Sequence, residues 1–159
     1  MPARARTVPF TMTTMSAILV VLGLIAVSTV LGAIWKRRSG RVASTGGAQI
    51  VRPADVGAQQ PFGERATLLQ FSTEFCAYCP ATRRLLGAIA ERTDGVAHVD
   101  IDLTHSPELA QRFRVLQTPT TLLLDERGAV RGRIGGAPRP GELEASLASI
   151  LNGDENVAA

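Results

Sequence analysis

The sequence predicts an α/β domain, a mixed central sheet flanked by helices, preceded by one N-terminal transmembrane helix. Three observations predict it. An uncharged apolar run extends from Ser16 to Trp35. From Ala66 onward, short β-rich runs alternate with helical patterns, as in an α/β layer architecture. Cys76 and Cys79 are the only cysteines, and they stand between the first of those runs and the first helical pattern.

The chain has 159 residues, room for one membrane segment and one compact domain of about 100 residues. A large multidomain enzyme is excluded. The hydrophobic share of 45% excludes a disordered polyelectrolyte. The formal charge of +3 is unevenly placed: Arg4, Arg6, Lys36, Arg37, Arg38 and Arg41 give residues 1–41 a local +6 with no acid, whereas the remainder has 11 arginines against 14 acids. The basic character therefore belongs to the flanks of the apolar run, and a nucleic-acid role for the folded part loses its main support.

The run SAILVVLGLIAVSTVLGAIW spans 20 residues, which at about 1.5 Å each matches a hydrocarbon core of about 30 Å. Trp35 suits an interfacial anchor, and Lys36-Arg37-Arg38 a stop to transfer. A cleaved signal peptide is the rival, since Ala26-Val27-Ser28 loosely resembles a cleavage site, but apolar sequence continues beyond it. Counting cations at both ends places the following domain in the cytosol, with an extracytoplasmic domain as the alternative. Residues 1–15 form a flank, 36–48 a basic stop and flexible linker rich in Ser and Gly, 49–151 the domain, and 152–159 a disordered polar tail.

Within the domain, Ala66–Ser72 is a mostly apolar strand of the kind buried on both faces. Pro80–Arg92 repeats Leu85, Leu86, Ile89 and Ala90 at helical spacing. Val96–Ile101 is the next strand, and Ser106-Pro107-Glu108 starts a short helix with Ser as N-cap and Pro at N1. Thr120–Leu124 and Ala129–Ile134 flank Asp125-Glu126-Arg127-Gly128 and form an antiparallel hairpin, with Gly128 suited to a left-handed turn position. Glu142–Leu151 is the last helix.

The chemistry is concentrated in Phe75-Cys76-Ala77-Tyr78-Cys79-Pro80. At a helix start, free N–H groups and the positive end of the helix dipole favour thiolate over thiol. A two-residue gap at a turn lets the second sulfur reach the first, giving a reversible pair in which Cys76 attacks and Cys79 resolves. A structural staple is the alternative, although a bridge closing so short a loop stabilises little. A zinc site needs about four ligands, and one such pair supplies two. His98 and His105 are expected to be structural or exposed, and Arg83 and Arg84 a solvated face.

These residues resemble the thioredoxin family over about two thirds of the chain. Three matches carry the resemblance: the strand-Phe75-Cys76-x-x-Cys79-helix unit, Thr118-Pro119-Thr120 just before a strand, and Gly135-Gly136 between hairpin and final helix. It implies a thioredoxin-like fold, a cis Thr118-Pro119 bond facing the cysteines, and a part in cell redox homeostasis. It also implies catalytic Cys76 and Cys79, with substrate contacts from Phe75, Ala77, Tyr78, Thr118, Pro119 and Gly135. Four positions depart from the family. Phe75 stands for the usual Trp, Ala77-Tyr78 for Gly-Pro, and Gln70 for a buried Asp that accepts a proton from the resolving cysteine. A neutral amide cannot be that base, so water or another carboxylate such as Glu74 is expected to serve.

The resulting expectation is a membrane-anchored protein-disulfide oxidoreductase, monomeric, without metal or cofactor. Its partners would be disulfide or dithiol proteins and an electron donor. The competing expectation is a non-catalytic binding module with the same fold and tether; a thiol peroxidase is disfavoured because no further cysteine is present.

Overall fold

The computed structural model describes residues 10–38 and 40–153. The flank 1–9 and the tail from residue 154 lie outside the described residues, so the expected disorder of the tail concerns only Asn152 and Gly153 within them. The chain divides at Arg38 into two compact units.

The first unit is helix α1, Phe10–Arg38. Met15–Ile34 is its apolar stretch, long enough and apolar enough to cross a membrane, and a signal sequence has the same features. Its large apolar side chains, among them Ile18, Leu22, Ile25 and Leu31, are exposed on every face. A water-soluble helix would instead carry one polar face.

The second unit is a five-stranded sheet in the order β1-β5-β4-β2-β3. In chain order it contains β1 (Val42–Ser44), β2 (Ala66–Ser72), α2 (Cys79–Glu91), β3 (Val96–Asp102), α3 (Pro107–Arg112), β4 (Thr120–Asp125), β5 (Val130–Gly135) and α4 (Pro140–Leu151). β2 and β3 are parallel, and the other neighbours antiparallel. This is the expected mixed α/β sheet. Every residue of β2 is buried, as its apolar run predicts for a central strand. Leu68, Leu86, Ile89, Leu123, Leu143 and Leu147 fill one core, joining α2 and α4 to the sheet. Val56, Leu69, Phe71, Val99, Phe113 and Leu122 fill the other.

The expected linker is corrected in part. Val42–Ser44 is not a free tether but pairs with Ile134–Gly132 as an edge strand. Val42 is buried, and Gly132 makes room for it: a Cβ there would lie 3.0 Å from Val42 Cγ1. The pairing runs on at both ends, where the Gly40 and Thr45 amides donate to the Gly135 and Arg131 carbonyls. Ser106 is the N-cap of α3 as expected, although its side chain makes no capping hydrogen bond; its carbonyl accepts from Leu109, and Pro107 supplies the first turn.

The hairpin turn is built as expected. Asp125 Oδ1 accepts the Arg127 and Ala129 amides and Oδ2 accepts Arg131 Nε, each at 2.9 Å. Burial alone would raise the Asp125 carboxyl, but these donors hold it below its ordinary range. Gly128 has φ of +77°, and a Cβ would lie 2.2 Å from the Val51 carbonyl oxygen. Gly128→Ala is therefore expected to destabilise the domain by at least about 1–2 kcal/mol, read as a lower urea midpoint. An unchanged midpoint would show that the backbone adapts freely there.

Candidate active site

β2 ends at Ser72, and residues 73–78 carry the chain to α2 through a tight turn. The Cys76 amide donates to the Thr73 carbonyl at 3.2 Å, and the Cys79 amide lies 3.3 Å from the Cys76 carbonyl and 3.1 Å from Cys76 Sγ. The two cysteines are joined as a disulfide with their Cα atoms 5.4 Å apart. α2 opens at Cys79 with Pro80 in its first turn, where the missing N–H costs no helical hydrogen bond. Cys79 is buried at 2% exposure, whereas Cys76 is part-exposed. Burial therefore distinguishes the two cysteines.

Around the pair, Phe75 (89% exposed), Ala77 and Tyr78 (66%) project from the turn. The Thr118-Pro119 bond is cis. Thr118 Oγ1 lies 3.2 Å from Thr73 Oγ1, which brings the Pro119 loop beside the turn that holds Cys76. The Pro119 carbonyl accepts the Gly136 amide at 2.7 Å. Gly135, at the end of β5, faces the Gln117 side chain, whose Nε2 lies 2.8 Å from where a Cβ would stand. Glu74 is exposed, with its amide accepted by Thr104 Oγ1. Arg83 pairs with Asp100, so it is not simply a solvated cation.

Gln70 is fully buried; its Nε2 donates to the Cys79 carbonyl at 3.3 Å, and its Oε1 lies 3.2 Å from His98 Nε2. Sequence reasoning missed this link between His98 and Cys79. The only signal was that both residues fall on strands flanking the Cys-x-x-Cys. Burial lowers the His98 imidazole below its ordinary 6.5, with Asp100 opposing and Arg83 reinforcing the effect. The folded state then binds fewer protons than the unfolded chain in a window below pH 6.5, so this contribution to stability is present above 6.5 and lost as pH falls through that window. Melting temperature of the oxidised protein is expected to rise with pH there, and His98→Asn to flatten the rise. An identical slope in both proteins would assign the dependence to other groups.

A family model described as a thioredoxin-like domain matches residues 55–151. The chain belongs to the thioredoxin-like domain family. Solved structures with a similar fold include thioredoxin of Fasciola hepatica, at 21% identity and TM-score 0.47 over 54% of this chain and 81% of that one. Mitochondrial thioredoxin 3 of Saccharomyces cerevisiae, in its oxidised form, shares 26% identity at TM-score 0.48, over 54% and 79% of the two chains. Thioredoxin-2 of the malaria parasite shares 18% identity at TM-score 0.48, over 60% and 90%. No curated protein matches the sequence. In a thioredoxin-like domain, a Cys76–Cys79 disulfide at a helix start supports thiol-disulfide oxidoreductase chemistry.

Proposed function

We propose that this chain is a membrane-tethered thiol-disulfide oxidoreductase acting on protein disulfides through Cys76 and Cys79. The observation that carries the reading is the asymmetric pair itself, with Cys76 part-exposed and Cys79 buried at the start of α2. In the reductive direction, the Cys76 thiolate attacks one sulfur of a partner disulfide. The partner S–S bond breaks, a mixed disulfide forms, and the freed partner sulfur takes up a proton. Cys79 gives up its proton and attacks Cys76 Sγ, the mixed disulfide breaks, and the second partner sulfur leaves and is protonated. Two electrons pass from the domain's dithiol to the partner, and a dithiol donor restores them.

Phe75, Ala77, Tyr78, Thr118, Pro119 and Gly135 form the surface on which the partner segment lies. The exposure of Phe75 and Tyr78 supports apolar contact, and the position of Thr118 beside Thr73 supports main-chain pairing close to Cys76. Cys79→Ser is expected to accumulate covalent adducts with partner proteins that dithiothreitol releases. Their absence, with Cys76 still alkylatable, would favour the binding-module reading.

The apolar helix Phe10–Arg38 supplies the tether, and Lys36-Arg37-Arg38 at its end the basic stop. Lys36, Arg37, Arg38 and Arg41 after the apolar stretch favour a cytosolic domain. A cytosolic setting would hold the pair reduced and set the direction as reduction. A membrane-impermeant maleimide is then expected to leave both cysteines unlabelled in intact cells after mild reduction and to label them after lysis. Labelling of intact cells would place the domain outside.

A further inference from the structure

One polar row crosses the sheet face on which Gln70 meets the Cys79 carbonyl. Gln70 on β2 pairs in register with Asp100 on β3 and with Thr121 on β4, so the three side chains share a face. One residue pair along, Leu68 and Leu123 on the same face belong to the core beneath α2 and α4. Thr82 of α2, one turn after Cys79, is buried on the opposing side. Thr82 Oγ1, Asp100 Oδ1 and Thr121 Oγ1 are buried without a hydrogen-bond partner, while Asp100 Oδ2 accepts Arg83 Nε at 2.8 Å. Buried polar groups cost free energy when unpaired, so a row of them requires a reason. The one group in this row's neighbourhood that titrates near neutrality is His98, in register with Leu68 and bonded to Gln70. Its ring packs against α2 at Gly87, where a Cβ would lie 3.9 Å from Nδ1.

We propose that His98 is a positioning residue for the resolving cysteine: as imidazolium it acts through the Gln70 amide to favour the Cys79 thiolate. The inference rests on the exchange reading above and deepens it. The imidazolium donates Nε2–H to Gln70 Oε1 and polarises the amide, whose Nε2 already donates one N–H to the Cys79 carbonyl. On this proposal, the second N–H of that nitrogen is directed at the Cys79 thiolate. The place filled in relatives of this family by a proton acceptor is thus taken here by a donor whose strength follows the charge of His98. In the step concerned, Cys79 Sγ–H loses its proton to solvent. The thiolate attacks Cys76 Sγ, the Cys76–Cys79 bond forms, and the mixed disulfide breaks. The departing sulfur carries away the electron pair and takes up a proton, and His98, no longer beside a thiolate, returns its proton to solvent. The charged groups facing the ring are Asp100 from its own strand, which favours imidazolium, and Arg83 from α2, which opposes it; β2 presents neutral Gln70 and Leu68. Burial lowers the proton affinity of the imidazole, and a thiolate at Cys79 would raise it, so reduction favours the two charges together.

The test uses the reduced full chain in detergent and a chromogenic aryl disulfide, which releases one coloured thiolate when Cys76 attacks and a second when Cys79 resolves. Resolution by an unassisted thiol slows about tenfold per pH unit below its midpoint. At pH about 6, His98→Asn is expected to slow the second release about tenfold relative to the natural protein. At pH about 9, where the imidazole is neutral in any case, the two should agree within about twofold. Superimposed profiles for the second release across this range, with both releases present, would overturn the inference and leave the exchange reading intact. A natural protein that gives no first release would overturn both. Should the variant not fold, the imidazole resonances of the natural protein decide: reduction is expected to raise the proton affinity of His98 about tenfold, and an unchanged affinity overturns the proposal.

Discussion

Cys76→Ser is expected to abolish disulfide exchange, lowering the rate by at least about a thousandfold, because a serine hydroxyl at neutral pH supplies almost no anion to attack a sulfur. The effect should be larger than that of any other single substitution in the turn. Cys79 cannot replace the lost nucleophile for an external disulfide: it is 2% exposed, its carbonyl is held by Gln70, and its sulfur faces Cys76. Cys79→Ser should behave differently, completing the first attack and stalling before the second. The pair of variants therefore separates attack from resolution, and the order of the two losses is the informative quantity. It is measured by release of a chromogenic thiolate from an aryl disulfide by each pre-reduced variant in detergent. One release from Cys79→Ser and none from Cys76→Ser is the expected pattern. The opposite pattern would reverse the roles given to the two sulfurs, and equal, slow release from both would leave the disulfide a structural staple.

Much of this architecture is legible in the amino-acid order because it rests on local chemistry. ATLLQFS gives the central strand since all seven residues are buried, and a seven-residue run rich in Leu and Phe has no other comfortable place. The hairpin follows from Gly128, whose left-handed φ and contact with Val51 exclude a side chain. The Cys-x-x-Cys spacing fixes the reactive turn. What the sequence hides is carried by register and by backbone. β1 contains a single buried apolar residue, Val42, and is held by main-chain hydrogen bonds to β5, so no side-chain periodicity announces it. The space for Val42 is created by Gly132, ninety positions later in the chain. The His98–Gln70 contact likewise depends on which residue of β3 lies beside Leu68. A slip of one would send the imidazole to the opposite face, and nothing in VAHVDID states the register on its own. The nearness of Thr118 to Thr73 is a long-range contact of the same kind, inferred from the family and not from the residues between.

Phe71→Ala is expected to be the most destabilising substitution away from the cysteines, by about 3–5 kcal/mol. Phe71 is fully buried on the face of β2 opposite Gln70, in the core shared with Leu69, Val99, Ile101 and Leu122. Its ring lies 5.3 Å from that of Phe113 at an interplanar angle of 30°, so truncation removes both buried area and an aromatic pair that adds about 0.5–1.5 kcal/mol. Collapse around the vacancy is hindered on three sides. β3 and β4 are fixed to β2 by hydrogen bonds, and the backbone after α3 is anchored by Arg133, which donates to the Phe113 and Arg114 carbonyls. A loss of this size corresponds to a fall of about 2 M in the urea midpoint for an m-value near the middle of the usual range. Phe75→Ala is the matched control, since that ring is 89% exposed and its loss should change stability by no more than about 0.5 kcal/mol. The comparison also separates fold from chemistry: Phe71→Ala should lower the midpoint while the folded fraction still exchanges disulfides, and Phe75→Ala should leave the midpoint in place. Equal midpoints for the two variants would mean that the second core does not close over Phe71, and with it that β2 is not buried on both faces.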